Sequence, residues 1–204
     1  MSSQKNIQPV GLLAMGLCVV LFYASVELLA GWLLGVSALV ADGLHMLTHS
    51  GHLAFALLVQ AIAQTMVPNS RRKLESVGSF AIAIFMVGMA ISLVYGVYFG
   101  ASHDHHAEHA GIAMMVAGIT SFCVHLYVGS KLFGGRCHPL VYGACIFTFA
   151  HVLLSLLIFT GGALDAVRGW PHTDAALTTI VAVFMIYGAV RIGLFSYKNL
   201  PKKA

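Results

Sequence analysis

Six long apolar stretches, separated by short polar segments, follow one another along the chain. Each has the length, roughly 20 residues or more, that an α-helix needs to cross the hydrocarbon layer of a bilayer. Helices satisfy their own backbone hydrogen bonds, which lipid cannot do for them. The pattern therefore predicts an all-α membrane protein, a six-helix transmembrane bundle with spans near residues 11–34, 37–67, 77–100, 111–131, 140–163 and 175–196.

The composition agrees with lipid as the main solvent of this chain. Hydrophobic residues make up 59% of it and charged residues only 9%, a balance far from that of soluble domains. The first apolar stretch exceeds the ~7–15 residues of a signal-peptide core, so we expect it to remain in the mature protein. Only a short tail follows the sixth stretch. We expect one transmembrane domain over residues 1–204, without a C-terminal soluble domain.

Lys and Arg are distributed very unevenly between the two ends of the predicted bundle. With both termini on one side, ten of the eleven Lys and Arg residues lie on that side, and only Arg168 lies on the other. Positive charge is retained in the cytoplasm during insertion, so we expect cytoplasmic termini in a bacterial inner (plasma) membrane. The net charge of +4 is then explained by topology and anionic lipid, and we expect no nucleic-acid partner.

Polar residues inside the second stretch lie on one helical face. Asp42, His45, His49 and His52 follow at spacings of three, four and three residues, which aligns their side chains. Ionisable side chains at membrane depth are costly and mark functional sites by default. Two imidazoles at i and i+4, such as His45 and His49, can bind the same divalent ion. This face therefore predicts a metal site.

The other stretches contain further polar residues that can complete such a site. His151 and Ser155, one turn apart in the fifth stretch, are the predicted ligands from a second helix. We place Glu27, Asp42, His52 and His125 around the ion, or in a proton relay. The alternative for any one of these histidines is a structural hydrogen bond between helices.

Further histidines lie in the segment after the third stretch, which the charge pattern places outside the cell. Such a tract binds transition metals weakly, although a polar loop is also what must separate two helices. We expect metal contact there by His103, His105, His106 and His109. The four cysteines show no C-x-x-C spacing, so neither a thiolate metal site nor a disulfide framework is predicted.

Residues 27–49, ELLAGWLLGVSALVADGLHMLTH, resemble the first two helices of the cation diffusion facilitator family of zinc transporters. Residues 72–78 (RKLESVG), 149–151 (FAH) and 169–174 (GWPHTD) resemble its third, fifth and sixth helices in the same order. The resemblance covers almost the whole chain. It implies six transmembrane helices with both ends inside, and transport of a divalent ion, usually zinc, in exchange for protons.

The resemblance also implies a ligand set, from which this chain departs. In the family, a His-x-x-x-Asp pair on the second helix and another on the fifth hold the ion. By position these pairs become His45/His49 and His151/Ser155, so both aspartates are missing, and His125 replaces an asparagine. Fewer carboxylates leave the charge of the ion less compensated. An imidazole-rich site favours zinc, with cobalt, nickel or copper as alternatives.

These observations favour a membrane carrier that exports a divalent transition metal in exchange for protons. Small residues such as Gly31/Gly35 also allow close helix packing, and we expect a homodimer. One alternative is a non-transporting member of the same fold that acts as a metal-binding membrane subunit or sensor. Another is a haem protein with two histidine ligands. No hydrolase motif occurs, and we expect no enzymatic activity.

Overall fold

The structure, a computed structural model, describes residues 8–34, 37–99, 110–168 and 173–200; within them some side chains, among them those of His45 and His49, are not described. The described residues form helices and turns with no strand, which confirms the prediction of an all-α protein. The helices are α1 (Pro9–Leu34), α2 (Ser37–Gln64), α3 (Pro68–Phe99), α4 (Ala110–Phe133), α5 (Pro139–Arg168) and α6 (Thr173–Asn199).

Five of these helices contain a stretch that is long and apolar enough to cross a membrane, as judged from the described residues. The stretches are Pro9–Leu33, Pro68–Tyr95, Met115–Phe133, Pro139–Gly161 and Thr179–Asn199. In α2 the corresponding apolar stretch is shorter, Ser50–Gln64. Large apolar side chains such as Phe22, Trp32 and Ile91 are exposed along the helices, as expected for a surface in contact with lipid. The protein is an integral membrane protein.

Proline and glycine mark several helix ends. Helices α1, α3 and α5 each begin with a proline, whose fixed φ suits the first helical position and whose missing N–H is not needed there. Gly134 and Gly135 follow the end of α4.

Helix α3 begins at Pro68, well before the apolar run near residue 77 that predicted its span. The helix extends beyond the apolar run because polar side chains bond to one another there.

The early part of α3 contains a buried polar network. Glu75 accepts hydrogen bonds of 2.9 Å from Arg71 Nε and from Gln60 Nε2 of α2. Glu75 is 3% exposed and Gln60 is fully buried. The Arg71–Glu75–Gln60 network therefore joins α2 to α3 near the short turn between them.

The helices pack in three close pairs, α4 with α5, α1 with α2, and α3 with α6. Large core side chains that are fully buried include Leu53, Met86 and Phe147, from α2, α3 and α5. A glycine allows the close approach of α4 and α5, because a side chain at its position would collide with the neighbouring backbone. A Cβ at Gly118 of α4 would lie 2.6 Å from the backbone nitrogen of Phe159 in α5.

Candidate functional site

Three histidines from three helices lie together in the interior of the bundle. They are His52 of α2, His125 of α4 and His151 of α5, and we call them the histidine cluster. Their side chains are almost completely buried, with exposed fractions of 6%, 3% and 3%. Buried imidazoles at membrane depth need polar partners or a function, because their desolvation is costly.

The ring of His151 lies between the other two rings. Its centroid is 5.3 Å from that of His125, with an interplanar angle of 25°, and 6.4 Å from that of His52, with an angle of 8°. Phe147, one turn before His151, packs against His52 at a centroid distance of 4.0 Å. Imidazoles that share a tetrahedral ion, at ~2.0–2.1 Å from each nitrogen, have centroids about 5 Å apart. The His125–His151 pair has this spacing.

Backbone carbonyls determine which ring nitrogen of two histidines carries hydrogen. His125 Nδ1 lies 2.8 Å from the carbonyl oxygen of Ser121, and His151 Nδ1 lies 2.9 Å from that of Phe147. A carbonyl oxygen only accepts hydrogen bonds, so Nδ1 is the donor in both rings. In a neutral imidazole the lone pair then resides on Nε2. Metal-binding histidines have this arrangement, in which the second nitrogen is anchored by a carbonyl or carboxylate.

Two serines connect the helices that hold His125 and His151. Ser121 Oγ of α4 lies 2.8 Å from Ser155 Oγ of α5, and Ser155 Oγ donates to the His151 carbonyl oxygen at 2.8 Å. Since Ser155 donates to that carbonyl, Ser121 is the donor to Ser155. Nδ1 of His125 also lies 3.2 Å from Ser121 Oγ. This chain of hydrogen bonds fixes the position of His125 relative to His151.

The structure places some of the predicted site residues together. His151 and Ser155 lie on one buried face of α5, and His52 and His125, predicted to surround the ion, are close to His151. The side chains of His45 and His49 lie outside the described residues. The loop histidines, His103, His105, His106 and His109, also lie outside them. Metal binding by these residues stays a prediction.

Among the described side chains, no three from His, Cys, Asp and Glu are already arranged to hold a metal ion. Glu27 and Asp42 lie near each other where α1 meets α2. Sequence reasoning did not single out Ser121 or Tyr23, which bonds to Glu27. Both could have been found from spacing, because each polar side chain lies one turn before a buried ionisable residue, His125 and Glu27 respectively.

Comparison with known proteins agrees with a transmembrane domain. Residues 13–200 match the family described as the cation efflux transmembrane domain. The chain belongs to the cation efflux family. This is the family that the resemblance of residues 27–49 indicated.

Curated proteins are similar to this cation efflux domain over most of its length. The metal cation efflux system protein CzcD of Cupriavidus metallidurans is 26% identical over 165 residues, which is 78% of this chain and 52% of that protein. The zinc transporter ZitB of Yersinia pestis is 28% identical over 185 residues, 87% of this chain and 58% of that protein. The chain thus spans about half the length of these relatives.

Proposed function

We propose that this protein is a carrier that exports a divalent transition metal, with the buried histidines as its binding site. The observation that carries the proposal is the His125–His151 pair. Two buried imidazoles from neighbouring helices lie 5.3 Å apart, and backbone carbonyls leave Nε2 as the ligating nitrogen of each. Membership of the cation efflux family supports the same function.

Helix α2 supplies the remaining ligands in this proposal. A tetrahedral ion bound by two imidazoles needs at least one more protein ligand. Among described side chains of α2, His52 is close, at 6.4 Å from the His151 ring, and the predicted ligands His45 and His49 lie on the same helix. We therefore assign His125 to the ion itself. Ser155 is a positioning residue, because its hydroxyl already bonds to Ser121 and to the His151 carbonyl.

The donor set determines which ions are expected. The described imidazoles are neutral ligands, and the two aspartates implied by the family resemblance are replaced by His49 and Ser155. Imidazole suits zinc, copper, nickel and cobalt more than magnesium, calcium or manganese. Two relatives bear the names metal cation efflux protein and zinc transporter. Zinc is therefore the first candidate, with cobalt, nickel and copper as alternatives.

Exchange against protons follows from the chemistry of imidazole. A histidine must be deprotonated to bind a metal, and its charge changes close to physiological pH. Metal bound at such a site is released when protons take its place. We propose antiport of metal against protons, so metal affinity falls as the pH decreases.

The proposed arrangement in the membrane follows the charge pattern. All six helices cross the bilayer, α2 included, since its 28 residues extend about 42 Å at 1.5 Å per residue. Both termini are cytoplasmic, the membrane is a bacterial inner membrane, and two copies form a dimer. The protein moves an ion across the membrane and does not catalyse a chemical reaction.

Metal flux into proteoliposomes under a proton gradient tests this function. We expect wild-type protein to move Zn²⁺ and a His125→Asn/His151→Asn variant to lose the flux almost entirely. His138→Asn, which alters a half-buried histidine before α5, is the matched control and should transport normally. Equal flux in the double variant and the wild type would contradict the proposal.

A second candidate function is metal binding without transport, as a membrane subunit or sensor. The observation in its favour is the replacement of both family aspartates, by His49 and Ser155, which leaves the charge of an ion less compensated. Metal binding by purified protein together with absent flux in proteoliposomes would favour it.

Haem binding between His125 and His151 fits the structure poorly. A porphyrin needs a slot between its two histidine ligands, whereas α4 and α5 touch directly through the Ser121–Ser155 hydrogen bond. A purified sample with a Soret band would contradict this conclusion.

A further inference from the structure

Arg191 of α6 is a charged side chain within a stretch that can cross the membrane, Thr179–Asn199. It precedes the end of α6 at Asn199 by about 12 Å along the helix axis, at 1.5 Å per residue. Its side chain is exposed, as are those of Val190 and Leu194 nearby. A guanidinium keeps its charge in proteins. At this depth it therefore needs an anionic partner.

The partner of Arg191 in α6 is neutral. Arg191 Nη1 donates a hydrogen bond of 3.4 Å to the hydroxyl oxygen of Tyr187, one turn earlier, and the guanidinium carbon lies 6.0 Å from the centroid of the Tyr187 ring. The ion pair found among the described side chains joins Arg71 to Glu75, and no described carboxylate pairs with Arg191. The described part of the chain thus leaves this positive charge unbalanced.

A cavity of about 310 Å³ lies next to Arg191, between α3, α5 and α6. Its polar groups are the guanidinium of Arg191 and the hydroxyls of Tyr142 and Tyr187. The rest of the wall is apolar, with side chains such as Ile146, Phe149, Leu153 and Phe184. A ligand of this cavity is therefore expected to combine an anionic group with a long apolar one.

The wall of the cavity changes from polar to apolar along the helices. The start of α5 lies beside the end of α6, since the rings of Tyr142 and Phe195 are 4.3 Å apart. From Tyr142 to Leu153 the lining follows α5 for about 16 Å, close to half of the ~30 Å hydrocarbon layer. The polar end is thus near one membrane surface and the apolar end near the middle. A phospholipid in one leaflet has the same order of head group and acyl chain.

We propose that this cavity binds one anionic phospholipid, with the phosphate at Arg191 and an acyl chain along the apolar wall. Guanidinium and phosphate form strong charge-assisted hydrogen bonds. Tyr187 accepts a hydrogen bond from Arg191, so its own proton can be donated to a phosphate oxygen. Basic pockets between transmembrane helices bind lipid head groups in this way.

The charge of the surroundings favours a lipid with a net negative charge over a zwitterionic one. Lys198 is exposed two turns after Arg191 on α6. Residues seven apart lie on the same face of a helix, so both positive charges lie on one face of α6. A choline group beside them would be repelled, whereas a head group whose phosphate is its only charge would not.

Competition between two lipids with identical chains tests the proposal. Full-length protein in detergent is titrated with dioleoyl phosphatidylglycerol or dioleoyl phosphatidylcholine, and native mass spectrometry counts the bound lipids. We expect the first phosphatidylglycerol to bind wild type about fivefold more tightly than the first phosphatidylcholine. Arg191→Gln should abolish this preference. An unchanged preference in the variant would overturn the proposal.

Lys131→Gln is the matched control. Lys131 Nζ of α4 lies 5.4 Å from the centroid of the Tyr127 ring, one turn earlier, so it resembles Arg191 and Tyr187, but it does not line the cavity. This variant should keep the preference for phosphatidylglycerol. An equal loss in Lys131→Gln and Arg191→Gln would indicate general attraction by surface charge and would reject a specific site.

A second variant tests the apolar end of the cavity without changing any charge. Leu153→Trp places a larger side chain there and should weaken both lipids several-fold while the preference between them remains. Phosphatidylglycerol should raise the Tm of wild type more than that of Arg191→Gln. Inorganic phosphate has no acyl chain and should not displace the lipid. Displacement by phosphate would make this a site for soluble anions, and a lipid-free dimer that Arg191→Gln dissociates would make it a contact between copies; either result overturns the proposal.

The result is independent of the proposed metal transport. The lipid titrations contain no metal, and none of the three histidines of the cluster lines the cavity. Co²⁺ binding should be the same in Arg191→Gln and wild type. Loss of the lipid preference with normal Co²⁺ binding supports the lipid site alone, whereas absent Co²⁺ binding in wild type rejects the histidine site and leaves the lipid result unaffected.

Discussion

The Arg71–Glu75–Gln60 network and the histidine cluster keep polar groups inside the same bundle in opposite ways. In the network a guanidinium lies 2.9 Å from a buried carboxylate, so the charges balance within the protein. In the cluster, Nδ1 of His125 and Nδ1 of His151 each bond to a backbone carbonyl oxygen, which carries no formal charge. In the first arrangement a positive and a negative side chain balance each other, whereas the second consists of imidazoles that are anchored through Nδ1.

This difference separates a contribution to stability from a contribution to binding. Breaking a balanced pair leaves a buried charge without compensation, which lowers the free energy of unfolding. Removing an imidazole from the histidine cluster takes away a ligand of the proposed ion, so its loss should affect a bound ion far more than the fold. Changes in the two groups should therefore affect different measurements.

The largest expected effect is on metal affinity when an imidazole is removed. His125→Asn should weaken Co²⁺ binding by about 100-fold or more, since replacing even residues that only support ligands costs 10–100-fold. The fold should survive, because asparagine still offers a polar side chain to Ser121. Equilibrium dialysis gives the affinity and thermal unfolding in detergent gives the stability. Unchanged affinity would make His125 structural and remove the contrast between the two groups.

The next effect is on stability, when the charge balance of the network is broken. Arg71→Met should lower the free energy of unfolding by about 1–3 kcal/mol, because Glu75 loses a hydrogen bond and its counter-charge; the partly exposed position of Arg71 limits the loss. Co²⁺ affinity should stay at the wild-type value. A fall in Co²⁺ affinity as large as in His125→Asn would show that the two groups are coupled.

The smallest effect comes from giving the cluster a charge of its own. Ser155→Asp should raise Co²⁺ affinity about tenfold, because a carboxylate beside the imidazoles offsets the charge of the ion. The same change should lower stability without metal, since Ser155 loses its hydrogen bonds to Ser121 and to the His151 carbonyl. A metal titration of variant and wild type measures the first effect, and thermal unfolding measures the second. Weaker Co²⁺ binding by the variant would mean that the hydrogen bonds of Ser155 contribute more to binding than an added negative charge does.

Most of the helices could be predicted from the sequence because lipid requires a long apolar run, which five of them contain; in α2 the apolar stretch is only Ser50–Gln64. The prediction was less exact for α3, which begins at Pro68. Apolar length identifies the part of a helix inside lipid, and Arg71 and Glu75 extend the helix beyond that part. A search for apolar runs does not detect the hydrogen bonds that Glu75 accepts from Arg71 and Gln60.

The candidate site could be predicted only in part. The spacing of His151 and Ser155 placed both on one face of α5, and the structure buries that face. The close approach of His125 to His151 depends on how α4 is positioned along α5, which periodicity within either helix does not determine. Gly118 and the Ser121–Ser155 hydrogen bond set that position. For this reason the sequence predicts His125 only near the ion, whereas the proposed function makes it a ligand.

If the protein is a carrier as proposed, the close contact at Gly118 constrains its change between inward-open and outward-open states. Because α4 and α5 touch so closely there, we expect them to move together and to carry His125 and His151 with them. In such a carrier we expect the ion to enter and leave along α2. A movement of α2 relative to α4 and α5 would take the imidazoles of α2 away from the ion. The movement that exposes the site would therefore also lower its affinity for the ion.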